Sequence, residues 1–410
     1  DGTANRWKSR SSPGFFYFLG LEPVAIIPAP VSNQLRASQQ PAPRRASVHW
    51  PVALVLALFS ALPPTGRNDS IIAMIRVFSS YITRKDMDLV LSRMVEDAVG
   101  PGDFNSRFAK AIKDQFGFEY AVALRSPYTA MQRAFKICGL GQGSKVAISA
   151  LAPSWHLAAV EDAGYVPIVL DVEEETLHPS KEAIESANPS TVLLFDALGK
   201  MPPSSLLQSL GFPVIEDISQ VSGNIAESTS SNTFAYFAVW GLENDSPIAT
   251  GGGALLCARG KRDGQILRSM EESLPSELRM TDYNAALGVS QLKSVSQMVE
   301  RRKAIQEILS RQLARTRHAG LKIAESEATP IYAFPVFAEG SSKEIIEYAK
   351  KHGVQAELAF SSSPAIMGDD AAACYPVARS IALRCVLFPM HHKLSNQQVD
   401  QIGKIVATLP

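Results

Sequence analysis

The sequence predicts an α/β protein with a large, mainly parallel sheet and a smaller C-terminal α+β domain. Three observations lead there. Short β-branched runs alternate with helix-patterned segments from about Ile75 onward, and such alternation builds βαβ units and a sheet covered on both faces. The 410 residues exceed what one core usually organises, so two folded domains are expected. The last hundred residues then lose the strict alternation.

In chain order, residues 1–73 stand apart. They are proline-rich, carry only three acids and precede the first methionine, Met74. Within them "WPVALVLALFSALPP", with Arg44 and Arg45 upstream, has the profile of a signal-peptide core and is too short to span a bilayer comfortably. The stretch reads as a low-complexity, disordered extension or as sequence upstream of a start near Met74. The predicted strands follow: "YAVAL" (120–124), "KVAISA" (145–150), "VPIVLDV" (166–172), "TVLLFDA" (191–197) and "FPVIED" (212–217). Helical stretches such as "TAMQRAFKICGL" and "SSLLQSLG" lie between them. "TFAYFAVW" and "GGGALLC" add two strands, and an amphipathic pattern predicts one long helix from Ala285 to Ala314. The boundaries expected are 1–73 for the extension, 74–310 for the large domain and 311–410 for the small one.

Charge excludes several function classes. Forty Lys and Arg balance forty Asp and Glu, so no global field draws nucleic acid or an acidic membrane. Cys138, Cys257, Cys374 and Cys385 have neither disulfide nor metal-type spacing, which fits reduced thiols in the cytoplasm.

In open α/β sheets ligands sit beyond the carboxyl ends of the strands. Asp217 ends one strand, where its carboxylate could hold a cationic ligand nitrogen; helix capping by Asp217 with Gln220 in the capping-box position fits equally well. Ser126 and Tyr128 stand between a strand and a helix start, a place for a phosphate or for a simple Ser126 cap. Trp155 offers an aromatic face at another such junction, or a core side chain. His156 beside it reads chiefly as polar helix surface, and Lys200 follows the "LLFDALG" strand.

Taken in order, these segments resemble the DegT/StrS family of pyridoxal-phosphate-dependent sugar aminotransferases, of fold type I. The motifs that carry the resemblance are "RVFSSYITRKDMDLVLSRM", "FNSRFAKAIKDQFGFEYAVALRS" with "GLGQGSKVAISA", "DAGYVPIVLDVEEETLHPS", "VIEDISQVSGN", "LRMTDYNAALGVSQL" and "LFPMHHKLSNQQVDQI". The resemblance implies that Asp217 keeps a pyridine nitrogen protonated, Gln220 meets the ring hydroxyl and Trp155 stacks on the ring. It places Ser126-Pro127-Tyr128 at the family's Ser-Gly-Thr phosphate turn, where Pro127 removes a backbone donor and Tyr128 replaces a short hydroxyl. Glu277 falls where an Asn is usual, two residues before Arg279. A homodimer, a nucleotide-sugar ligand and a role in amino-sugar or surface-polysaccharide biosynthesis are further implications.

One departure dominates. The family's aminotransferases carry a Schiff-base lysine a few residues before a glycine turn. Here the turn is Thr250-Gly251-Gly252-Gly253, and counting back reaches Asn244 or Asp245. No lysine occurs between Lys200 and Lys261. The histidine that replaces the lysine in dehydratase members is absent too, because none lies between His178 and His318. The resemblance therefore points to a pseudoenzyme that binds sugar or cofactor, with pyridoxal phosphate or pyridoxamine phosphate held non-covalently if at all. The alternative is an aminotransferase or dehydratase-like enzyme using Asp245, Glu243 or His156 as proton carrier.

Overall fold

A computed structural model describes residues 74–80, 82–221, 236–323, 329–368 and 370–410. The reading of the first 73 residues lies outside them. The strands of the first sheet are β1 (Tyr120–Leu124), β2 (Lys145–Ser149), β3 (Val166–Leu170), β4 (Thr191–Phe195), β5 (Val214–Asp217), β6 (Phe237–Gly241) and β7 (Ala254–Ala258). They lie in the order β1-β7-β6-β5-β4-β2-β3. The run from β3 to β6 is parallel, and β7 pairs antiparallel with both β6 and β1. The mainly parallel α/β sheet is thus as the sequence predicts: β1 to β5 match the predicted bounds to within two residues, while β6 and β7 begin later than predicted, at Phe237 and Ala254, and each ends one residue beyond.

The side chains explain the burial on both faces. Along β6 and β7, Phe237, Val239, Ala254 and Leu256 face one core, with Met131, Phe135 and Leu151. Ala238, Trp240, Leu255 and Cys257 face another, with Phe108, Phe116 and Ile218. With this period-two division no residue of β6 or β7, ends included, carries a polar side chain, as a doubly covered sheet requires. Burial pushes the Cys257 thiol up to about 12, which leaves it a small hydrophobe.

The second sheet contains β8 (Ala319–Gly320), β9 (Phe334–Phe337), β10 (Glu357–Leu358) and β11 (Cys385–Phe388), antiparallel in the order β10-β11-β9-β8.

The single long helix expected from Ala285 to Ala314 is two helices, Asp282–Leu292 and Val295–Leu313. The break is local chemistry. Lys293 N–H and Ser294 N–H tighten onto Ser290 and Gln291 carbonyls, and Ser294 Oγ donates to the Gln291 carbonyl at 3.1 Å. A hydroxyl that satisfies the chain locally competes with the helical ladder. The two segments then pack differently: the first against helices Arg84–Val95 and Asp103–Phe116, the second against Asn396–Val406 and the second sheet.

Candidate functional site

Three parallel strands end side by side: Phe195 closes β4, Asp217 closes β5 and Gly241 closes β6, with Phe195 and Asp217 in register. All three line a cavity of about 150 Å³ at the carboxyl edge of the sheet, the place where open α/β sheets receive ligands. Trp155 and Pro153 enter from the start of helix Ser154–Asp162, Phe360 and Ser363 from the segment after β10, and Tyr332 from the approach to β9.

Asp217 is 1% exposed and its carboxylate is well supplied. Oδ2 lies 2.8 Å from Nε2 of His156, which is itself fully buried. Oδ1 accepts from the Ser219 N–H at 3.0 Å and from the Ser219 hydroxyl. The Gly241 N–H in turn donates to Ser219 Oγ at 2.8 Å. A Cβ on Gly241 would sit 2.9 Å from Ser219 Oγ and 3.0 Å from Pro127 Cγ, so this junction needs glycine. The reading of His156 as helix surface is corrected here. The helix turns it inward under Trp155, whose ring meets its own edge-on at 4.1 Å, and a buried imidazole needs the acid that Asp217 provides.

Gln220 lines the cavity and does not close a capping box with Asp217; its Oε1 accepts the Leu198 N–H at 2.6 Å. Asp217 Oδ1 accepts the N–H two residues ahead, which is the local bond that a capping side chain makes. Ser126 and Tyr128 are not brought to the cavity with Asp217, Gln220 and Trp155. Ser126 caps helix Pro127–Ile137, accepting the Thr129 N–H at 3.1 Å. Tyr128 turns to helix Ser154–Asp162 and donates to the Asp162 carboxylate. Only Pro127 of that turn lines the cavity, and it has no N–H to offer.

Of the two residues expected at the nucleophile position, Asp245 lines the cavity and Asn244 is not among its lining residues. Asp245 Oδ2 accepts from the Tyr332 hydroxyl at 2.8 Å. Burial and then the Asp245 charge hold the Tyr332 phenol well above its usual range. Glu243 also lines the cavity, and its carboxyl is raised by burial first and by Asp245 second. Lys200 is elsewhere, its ammonium donating to the Lys322 carbonyl at 2.8 Å. Glu277 is exposed on the turn Ser276–Leu278, and Arg279 is bonded to Glu271. Among the described residues no His, Cys, Asp and Glu group could hold a metal ion, and no helix is long and apolar enough to cross a membrane.

Sequence reasoning missed Tyr332. It lies 87 positions from its partner in a segment readable only as strand, so no local signal marked it. Arg302 holds it in place: the buried guanidinium donates to the carbonyls of Ile331 at 2.8 Å and Tyr332 at 2.9 Å.

Comparison with known proteins gives a consistent answer. The model of the DegT/DnrJ/EryC1/StrS aminotransferase family matches residues 81–407. The L-glutamine:2-deoxy-scyllo-inosose aminotransferase of Streptomyces paromomycinus is 25% identical over 296 residues, covering 65% of this chain and 70% of that one. The GDP-perosamine synthase of Vibrio cholerae is 22% identical over 232 residues, covering 52% and 63%. Among solved structures, the aminotransferase TlmJ of Streptoalloteichus hindustanus superposes with a TM-score of 0.72 at 19% identity, covering 82% of this chain and 98% of that one. That likeness establishes a shared fold.

Proposed function

From its membership of the DegT/DnrJ/EryC1/StrS aminotransferase family, we propose that this chain binds a sugar or sugar-derived ligand at the strand-end cavity without conventional transamination. The family is pyridoxal-phosphate-dependent and includes sugar aminotransferases. The observation that carries the reading is Asp245: an acid held by Tyr332 lines the cavity where the resemblance expects the lysine, and no lysine occurs between Lys200 and Lys261. A carboxylate cannot form an imine.

The residues present are a partial match to the cofactor. Asp217 and Trp155 could serve a protonated pyridine ring, the chemistry of an electron sink. The phosphate end does not fit. The cavity's ionisable lining among the described residues is Asp217, Glu243, Asp245 and Tyr332, with no Lys or Arg. Ser126 is spent as a cap and Pro127 lacks an N–H, so the helix start is a poor anion cradle. Three carboxylates facing a phosphate dianion raise its free energy.

The test is spectroscopic. Pyridoxal phosphate is added to the full chain, and absorbance and peptide mass are followed before and after borohydride reduction. The expected result is no reduced lysine adduct. A stoichiometric lysine adduct would overturn the reading. Asp245→Lys alone is expected not to restore amino transfer from glutamine or glutamate to a keto sugar, because the phosphate end remains mismatched.

A second reading has one observation in its favour. Glu243 holds its proton more tightly than a free carboxyl and lines the cavity, as a proton carrier would. Turnover of a nucleotide keto sugar that is abolished by Glu243→Gln would favour it. By the same resemblance the chain is inferred to form a homodimer and to serve amino-sugar or surface-polysaccharide biosynthesis, with 311–410 as a smaller domain.

A further inference from the structure

We propose that Gln291 and Asn284 are positioning residues: from helix Asp282–Leu292 they hold the loop 243–249 against Tyr332, and so set where Asp245 stands. Neither side chain is among those lining the cavity. A lysine adduct in the borohydride test above would leave this role standing, since the anchorage of the loop does not depend on what the cavity holds.

The loop leaves β6 and returns before β7, and two backbone bonds close its neck. Leu242 N–H donates to the Gly253 carbonyl at 3.0 Å, and Thr250 N–H donates to the Leu242 carbonyl at 3.1 Å. Between Thr250 and β7 stand Gly251, Gly252 and Gly253, all at positive φ. Glycine permits that path but does not enforce it. The stretch that carries Asp245 therefore needs an anchor outside its own turn.

Helix Asp282–Leu292 provides one at two adjacent residues. Ala249 is 2% exposed, so both of its backbone groups need partners. The Gln291 amide meets both: its Oε1 accepts the Ala249 N–H at 3.0 Å, and its Nε2 donates to the Ala249 carbonyl at 2.8 Å. Asn284 lies earlier on the same face of the helix and donates from Nδ2 to the Thr250 carbonyl at 2.5 Å. The Thr281 hydroxyl donates to Asn284 Oδ1, which fixes the orientation of that amide. The helix is itself tied down at its start. Asp282 accepts the N–H groups of Gly102 at 2.8 Å, Phe104 at 3.2 Å and Asn105 at 2.9 Å, which pins it to helix Asp103–Phe116. Side chains on such a rigid element place a neighbour more precisely than a loop does. Just ahead of the anchor, Asp245 accepts from the Tyr332 hydroxyl at 2.8 Å, while Arg302 holds the Tyr332 carbonyl from another helix. The pair meets because each partner has its own support.

The experiment is carbon-13 NMR of the full chain labelled at tyrosine Cζ, with the Tyr332 signal identified by its loss in Tyr332→Phe. The Cζ shift reports whether the phenol donates to a carboxylate, and Asp245→Asn marks its position without that charge. Gln291→Met keeps the length of the side chain and removes both of its bonds. It is expected to move the signal most of the way toward the Asp245→Asn position. Added to Asp245→Asn, it should move the signal no further, because both changes act through one contact. Asn284→Ala should move the signal in the same direction, and it carries the test if circular dichroism finds Gln291→Met unfolded. Ile184→Val removes stability from a separate core cluster and should leave the signal in place. A signal unmoved by Gln291→Met and Asn284→Ala, an equal shift with Ile184→Val, or an undiminished effect of Gln291→Met beside Asp245→Asn would each overturn the proposal.

Discussion

Asp196 and Glu216 show how much one pair of residues can ask of a fold. Both are fully buried, and none of their carboxyl oxygens has a hydrogen-bond partner outside the pair. Register places Glu216 opposite Leu194, so it shares a sheet face with Asp196 two residues on, while Asp217 faces the cavity. Burial first, and Glu216 second, push the Asp196 carboxyl well above its usual range. A raised carboxyl contributes stability that is complete below its unfolded value near 4 and is lost as pH rises through its folded value. The chain should therefore lose stability on going from mildly acidic to alkaline pH. Asp196→Asn should flatten that profile and raise the melting temperature at pH 8 by several degrees. An unchanged pH profile in thermal melts of this variant would refute the account. Tyr332 adds a loss of the same sign at higher pH, since its phenol is also raised.

At the scale of elements, the turn after Thr250 explains why the glycines stand together. Gly251, Gly252 and Gly253 have φ of 72°, 118° and 114°, a conformation other residues rarely adopt. Thr250 Oγ1 closes the turn by donating to the Gly252 carbonyl at 2.8 Å, and the Leu242 N–H bonds back to the Gly253 carbonyl. The turn therefore fixes where Glu243 and Asp245 stand, whatever their chemistry. The positions should differ in tolerance. A Cβ on Gly253 would meet Met280 Cε at 2.3 Å and the Leu124 carbonyl at 3.3 Å, whereas one on Gly251 finds only Asn284 Nδ2 at 3.7 Å. Gly253→Ala is expected to cost about 1–3 kcal/mol from strained backbone alone, and more with the displaced methionine. Gly251→Ala should cost less, and urea titration of both variants checks the order.

At the scale of the whole molecule, one helix carries four of the exposed large apolar side chains found among the described residues. Met87, Leu91, Met94 and Val95, at spacing four, three and one, leave helix Arg84–Val95 with an outward apolar stripe, Leu91 being 54% exposed and Val95 86%. Such a stripe is costly in water and is ordinary in an interface. The homodimer inferred above would cover it. Leu91→Asp is expected to shift the chain toward monomer in analytical ultracentrifugation with its fold retained, and an unchanged sedimentation coefficient would place the interface elsewhere.

Legibility followed the range of the interactions. The parallel sheet, its strand positions and the glycine turn were readable because burial on two faces and positive φ leave their mark within a few residues. So was the acid at the end of β5 and the absence of lysine before the turn. The break at Ser294 was not readable, because the amphipathic period runs through it while the two segments pack against different neighbours. Neither was His156, which local pattern assigns to the surface and which Asp217, 61 positions on, draws inside. Ser126 and Tyr128 looked like a ligand turn, yet a helix cap and the neighbouring Asp162 claimed their hydroxyls. By itself the sequence determined the fold class and the chemistry that Asp245 cannot perform. Only the tertiary structure decided which side chains share the cavity, because the three strand ends, Tyr332 and Ser363 meet through packing of distant segments, and a charge acquires its partner only where the chain places one.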